Sequence, residues 1–301
     1  MQDQKSILVI CVNYNSPNAA VRYIKSISNT SKERVHVDVV LVDNSEDTDS
    51  EALFEALKQE DPNIECIKAP SNPGYFGGAH YGLKIYLETH DLPDWIVVSN
   101  VDLVIEDGMF FERLAELELS DRVGIIAPSI WSNHWRMDRN PKMLSRPAVK
   151  TMHRYKLIYR NYVVLIAYQA LGRIKSLLRK KLGNNSPSLV RSLLKPVESQ
   201  NGFEESGIRQ DILPIYAPHG SLMIFSKRFF TEGGDINYPC FLFMEEIYVA
   251  EIARRLNLDV VYVPTLRIIH NDHVSTGIIR SPQMARHMYD SAVYIADKYF
   301  C

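Results

Sequence analysis

At 301 residues the chain has room for one large domain or two small ones, and its 46% hydrophobic and 23% charged residues are those of a globular protein. The formal charge of −2 hides an asymmetry: Arg139 to Val197 carries 14 Lys and Arg and no Asp or Glu, while the rest holds 20 basic and 36 acidic residues, so a positive face for an anionic partner stands on an acidic body. Cys11, Cys66, Cys240 and Cys301 share no short spacing, which argues against a zinc site or disulfide framework, and no uncharged apolar stretch reaches the ~18 residues of a membrane span.

Short β-branched runs at Ile7–Val12, Val37–Val42, Ile64–Ile67, Trp95–Val98 and Val123–Ile126 alternate with helical spacing at Pro17–Ser28, Asp49–Glu60, Gly78–Glu88 and Asp107–Leu117. That rhythm predicts βαβ units and a mostly parallel sheet, whose functional loops lie at the carboxyl ends of the strands. Those ends carry Asn13-Tyr14-Asn15, Asp43-Asn44-Ser45, Asn72-Pro73-Gly74 and Asn100-Val101-Asp102. Cys11 and Cys66 read as buried free thiols within strands.

Residues 132 to 212 break the rhythm. A single helix is expected from about Met152 to Leu182, with an apolar centre, Asn161–Gly172, between Arg154, Lys156, Arg160 and Arg173, Lys175, Arg179, Lys180, Lys181. Such a helix suits a membrane interface rich in anionic lipid; the alternative is an insertion packed on the domain with solvated charges. Gly183–Gly207 reads as a mobile loop. Beyond it, APHGSLMIFSKRFF reads as loop, strand and helix start, a helix begins near Glu245, DVVYVP is a strand, and Ser281–Phe300 is a closing helix.

Asp102, at the end of the otherwise apolar VVSNVDLVI, is costly to bury unless it is paired or holds a cation. It suits Mg²⁺ or Mn²⁺, which need few carboxylates when phosphates complete the shell, or else it caps the following helix. Asp43 could accept from a base or ribose, or form an Asx-turn. SNPGYFGGAHYG is a glycine-rich loop entering a helix, a setting that favours anions, but it matches neither nucleotide fingerprint of that type. Glu245-Glu246 follows an aromatic run whose partial burial would raise a pKa and leave a general base; the pair would equally suit a helix dipole. His270 and His273 follow a strand, where either could ligate a metal.

In order, VNYNS (12–16), LVDNSEDTDS (41–50), NPGYFGGAHYG (72–82), SNVDLVI (99–105), GSLMIFSKRFF (220–230), FLFMEEIYVAEIARRL (241–256) and HNDHVSTG (270–277) resemble the family 2 glycosyltransferases of the GT-A fold, of the rhamnosyltransferase-like kind that builds bacterial surface polysaccharides. The resemblance covers about residues 5–130 and 214–277. It implies a mostly parallel, Rossmann-like α/β sheet flanked by helices: a nucleotide-sugar half at 1–130, a basic helical insertion at 131–213, and an acceptor half of the same domain at 214–301. It further implies a nucleotide-sugar donor, a divalent cation (Mg or Mn) on its diphosphate, and a glycan or polyprenyl-linked acceptor. Asn13 and Asn15 would then lie beside the nucleotide, Asp43 would contact the base, and Asn72 and Gly74 would line the pocket. Asn100 and Asp102 occupy the DXD position, with Asp102 as metal ligand and Asn100 as a polar neighbour where the family has Asp. Glu246 would be the base, in place of the usual Asp, with Glu245 as the alternative. His270 would lie near the diphosphate or metal, and Gly220 and Ser221 on the acceptor side.

The implied reaction is one inverting displacement, with charge on the leaving diphosphate stabilised by the cation. A sugar-nucleotide nucleotidyltransferase would need a Gly-rich, Arg-containing loop after the first strand, which VNYNS is not. A non-catalytic nucleotide-sugar or glycan-binding module is the other alternative. Nucleic acid is not an expected partner, because the basic segment has a long apolar core rather than interleaved recognition residues. The N-terminus lacks a signal-peptide layout, so the protein is expected in the cytoplasm, peripheral on the inner face of the membrane if 152–182 touches it.

Overall fold

The computed structural model describes residues 4–46, 50–182, 211–271 and 281–301; Gly183–Gly207 and His273, singled out above, lie outside them. The chain forms two compact units, Met1–Arg146 with Gln200–Ser275, and Pro147–Ser199 with Thr276–Cys301.

The first unit is built on β1 (Lys5–Asn13), β2 (Val35–Asp43), β3 (Ile64–Lys68), β4 (Trp95–Asn100), β5 (Leu103–Val104), β6 (Val123–Ser132), β7 (Met137–Asp138), β8 (Leu213–Pro214), β9 (Leu222–Ser226) and β10 (Asp259–His270). They make one mixed sheet in the order β3-β2-β1-β4-β9-β6-β10-β5, with β7 on β6 and β8 on β10. β1 to β4 run parallel, whereas β9 lies antiparallel between β4 and β6. Near-continuous apolar runs suit strands covered on both faces; Leu8, Val9 and Ile10 are fully buried, as is Cys11, while Cys66 is only half-buried.

The helices of this unit are α1 (Pro17–Ser28), α2 (Glu51–Glu60), α3 (Tyr75–Tyr86), α4 (Phe110–Glu116), and then, beyond the second unit's α5 (Val149–Tyr159) and α6 (Tyr162–Leu182), α7 (Lys227–Thr231) and α8 (Glu245–Arg255). α1 begins with Pro in its first turn and buries Ala20, Tyr23, Ile24 and Ile27, an i, i+3, i+4, i+7 stripe. Parallel register sets Asn13 beside Asp43 and Val12 beside Asn100, which gathers the polar strand ends at one edge.

The second unit contains α5, α6 and the closing helix α9 (Pro282–Tyr299). The single helix expected over Met152–Leu182 is two helices. Asn161 Oδ1 accepts the N–H groups of Val163 (2.9 Å) and Val164 (3.4 Å), so its side chain ends one helix and caps the next. Ser281 caps α9 by accepting the Met284 N–H at 3.2 Å. Leu165 and Ala285 form one buried cluster, flanked by Ile158, Tyr159, Tyr162, Met284 and Met288.

Candidate functional site

The strand-end polar groups form linked clusters in the first unit. At the end of β2 the Asp43 carboxylate is buried and accepts from Asn13 Nδ2 (2.8 Å), Ser45 N (3.1 Å), Ser45 Oγ (2.6 Å), Ser50 Oγ (3.0 Å) and Lys68 Nζ (3.0 Å). Burial alone would raise its pKa; the bonds from Ser45, Lys68 and Asn13 outweigh that and hold it below the usual carboxylate range. A carboxylate offers about four lone-pair sites, so these donors already occupy Asp43. These bonds fix the strand ends around Asn13 and Ser45. Asn15, exposed and in the left-handed region (φ 51°), gives its N–H to Ser45 Oγ at 2.8 Å.

Asn72 Oδ1 accepts the Gly74 N–H at 3.0 Å, and the Gly74 carbonyl accepts from Asn44 Nδ2 at 2.9 Å. Gly74 has φ +81°, and a Cβ there would stand 1.9 Å from the Phe241 carbonyl oxygen, so only glycine fits. That contact joins the glycine loop to the segment before α8, where Phe243 and Met244 also have positive φ (76° and 65°).

Glu245 and Glu246 differ in environment. Glu245 is buried, and its Oε1 accepts the Phe243 N–H at 2.8 Å, bracing the left-handed turn. Burial first and the Glu246 charge second push its pKa up to about 8. Glu246 instead lies over Gly220, where a Cβ would stand 3.1 Å from its Oε1, and Lys142 Nζ is 4.0 Å from the same oxygen. α8 is anchored by the fully buried Glu251, which accepts from Arg146 Nε (2.7 Å) and Nη2 (3.1 Å), Arg254 Nη2 (2.9 Å) and Tyr216 OH (2.8 Å).

Asp102 sits in the turn between β4 and β5. Antiparallel pairing sets His270 opposite Leu103, which brings His270 Nε2 to 3.4 Å from Asp102 Oδ2. The other oxygen, Oδ1, is buried with no hydrogen-bond partner among the described residues. A desolvated, unpartnered carboxylate oxygen beside an imidazole is a donor set that fits a hard divalent cation. Among the described residues no group of three or more His, Cys, Asp or Glu forms a complete metal shell, so oxygens of a substrate would have to finish it. Asn100 is half-buried, and its backbone N–H donates to the Ser221 carbonyl at 2.9 Å, tying β4 to the Gly220-Ser221 segment.

His219 was not singled out in the sequence, although it directly precedes Gly220-Ser221. Its Nδ1 accepts the Ser221 N–H at 3.2 Å and lies 2.9 Å from Ser221 Oγ, and its ring is 6.4 Å from that of His270. Burial, then the Lys142, Arg139 and His270 charges, hold its pKa well below the usual imidazole range. Lys142 and Arg139 belong to the segment outside the motif resemblance, and no spacing placed them here.

Comparisons with known proteins identify the family and the fold. Residues 6–179 match the family model described as glycosyl transferase family 2. The chain is 21% identical to the N-acetylglucosaminyl-diphospho-decaprenol L-rhamnosyltransferase of Mycobacterium tuberculosis, covering 97% of this chain and 84% of that protein. It is 24% identical to the low-salt glycan biosynthesis hexosyltransferase Agl10 of Haloferax volcanii, over 91% and 69% of the two chains. Two solved structures share the fold. GalNAc-T7 with UDP, GalNAc and Mn²⁺ aligns with TM-score 0.54 at 10% identity, over 90% of this chain and 44% of that one. The Pyrobaculum calidifontis mannosyltransferase PcManGT with GDP-Man and Mn²⁺ gives 0.50 at 11% identity, over 96% and 69%. The fold is the GT-A fold, and the chain belongs to glycosyl transferase family 2.

Proposed function

We propose that this glycosyltransferase moves a sugar, with inversion, from a nucleotide-sugar donor to a hydroxyl of a lipid-linked saccharide in polysaccharide synthesis. The observation that carries the reading is a pair of carboxylates on neighbouring segments: Asp102, beside His270 and with a buried oxygen that has no hydrogen-bond partner among the described residues, and Glu246 over Gly220, whose neighbour Ser221 accepts the Asn100 N–H. The named relatives, one acting on a diphospho-decaprenol acceptor, support a lipid-linked acceptor, and the Mn²⁺ in both structural neighbours supports a divalent cation.

In this reading Asp102 and His270 would hold Mg²⁺ or Mn²⁺, which when bound neutralises charge on the departing diphosphate. Asn13, Asn15, Asn72, Gly74 and Asn100 line the donor side, with Asp43 fixing Asn13 and Ser45 from behind. Glu246 takes the proton from the acceptor hydroxyl, while Glu245, largely neutral at pH 7, braces the turn that presents Glu246. Gly220 leaves room for the acceptor oxygen beside Glu246, and Ser221 holds His219.

α5 and α6 expose Leu157 (71%), Val163 (73%) and Leu171 (58%) next to Arg154, Lys156 and Arg160, which supports peripheral contact with an anionic membrane. No helix among the described residues is long and apolar enough to cross one. The test is transfer and hydrolysis over a nucleotide-sugar panel with Mg²⁺ or Mn²⁺, for the native chain and for Glu246→Gln. Turnover that survives undiminished in Glu246→Gln would overturn the base assignment. No turnover with any donor, despite binding, would favour a binding module.

A further inference from the structure

Arg139 and Lys142 flank the fully buried Asn140, and Lys142 Nζ lies 4.0 Å from Glu246 Oε1. Asn140 gives its backbone N–H to Asp138 Oδ1 (2.9 Å) and its Nδ2 to the Pro128 carbonyl (2.7 Å), and its Oδ1 accepts the His219 N–H (2.7 Å). Met143 then pairs with Ala217 through two backbone bonds (3.2 and 3.1 Å). The short stretch of backbone that carries both cationic side chains is thus fixed at both ends.

Among the described residues neither cation has a carboxylate closer than 4.0 Å. Among the described residues no carboxylate lies within 4 Å of Arg139, whose side chain instead reaches His219 Nε2 at 3.5 Å. Lys142 has one carboxylate, Glu246, and at 4.0 Å that contact leaves ammonium donors unspent. Both side chains are half-buried. A planar guanidinium and an ammonium carried three residues apart on one anchored stretch match the oxygens of a phosphate or diphosphate.

We propose that Arg139 and Lys142 form an acceptor subsite that binds a diphosphate or phosphodiester group adjoining the sugar whose hydroxyl reaches Glu246. This rests on the acceptor-side assignment of Glu246. The same chemistry could come from the donor's diphosphate, which the Asp102 side would hold, and the test separates the two.

Farnesyl diphosphate, below its micellar concentration and with EDTA present, is titrated calorimetrically into the full chain, with farnesol as the control for prenyl binding. Binding of the diphosphate should weaken at least tenfold in Arg139→Gln/Lys142→Gln and fall with added salt, while farnesol is unaffected and Asp102→Ala stays within twofold of the native chain. Retained affinity in the double variant, loss in Asp102→Ala, or no binding by the native chain overturns the proposal. Thermal melts report whether the double variant folds, and Arg139→Gln alone carries the same prediction, with a smaller loss, if it does not. Nucleotide-sugar turnover by the native chain reads the glycosyltransferase assignment separately, so failure of one is not failure of the other.

Discussion

Asp102 Oδ2 stands 3.4 Å from His270 Nε2, while Asp102 Oδ1 is buried with no hydrogen-bond partner among the described residues. Two oxygens of one carboxylate in such different states indicate a group built to receive something. Asp102→Ala should reduce cation-dependent donor turnover by at least 10²-fold. Asn100→Ala, which keeps the backbone bond to Ser221, should cost less. Equilibrium dialysis with Mn²⁺ and a nucleoside diphosphate gives a second readout: Asp102→Ala should bind less metal, and equal binding would remove Asp102 from the metal site.

Glu246→Gln is expected to lower kcat by about 10²- to 10⁴-fold, the range of a lost general base. Donor affinity should change little. Glu245→Gln should behave differently, because its carboxyl serves the Phe243 N–H. It should retain most turnover, and kinetics of the two variants side by side decide between the carboxylates.

Glu245 also makes a pH prediction. Its pKa is raised from 4.5 to about 8, so the folded state holds a proton that the unfolded state gives up earlier. Its contribution is therefore fully present below about pH 4.5 and is lost as pH rises towards 8, with a limiting slope of about 1.4 kcal/mol per pH unit. Denaturation midpoints of Glu245→Gln should fall less over that window than those of the native chain. Parallel curves would show that Glu245 is not the group responsible.

Glu251 has the opposite sign. Burial would raise its pKa, but Arg146, Arg254 and Tyr216 together hold it below the usual range. Its stabilising contribution is present above the unfolded carboxylate pKa and is lost as pH falls through the lowered value. Glu251→Ala should cost about 2 kcal/mol, the scale of a lost charge-assisted hydrogen-bond set whose arginines can still reach water. Because α8 carries Glu246, kcat should fall with it.

Gly74→Ala should be among the most damaging single-atom-scale changes in the chain. The new Cβ would meet the Phe241 carbonyl at 1.9 Å in a backbone region that suits glycine. A loss of roughly 1–3 kcal/mol follows from the strain alone. Donor affinity and acceptor turnover should fall together, since the displaced segments serve both.

Much of the sheet was legible because buried parallel strands write themselves as β-branched runs. α1 was readable to the residue, from Pro17 to Ser28. α3 starts at Tyr75, three residues before the expected Gly78, because the left-handed Gly74 turn launches it earlier than apolar spacing suggests. The break at Asn161 was hidden because apolar periodicity runs through it and only its side-chain bonds reveal the cap. Asp102 and His270 could be named from strand ends, but their proximity needs the β5–β10 pairing. Arg139 is brought to His219 by the tertiary bonds of Asn140 and the Met143–Ala217 pairing, which no local pattern records.

The antiparallel strand at the middle of the sheet has a consequence for synthesis. β4 is complete at Asn100, yet the strand that covers its open edge begins only at Leu222. At about 5–20 residues per second, the ribosome leaves that edge unpaired for roughly 6–25 s. Throughout that interval the nascent chain presents a hydrophobic strand rim of the kind that recruits other chains. Chains stalled before Leu222 should aggregate or hold a chaperone where the finished protein does neither, and sedimentation of a chain ending at residue 214 would show it. The strand that joins β4 to β6 therefore also sets how long the β4 edge of the newborn chain stays open.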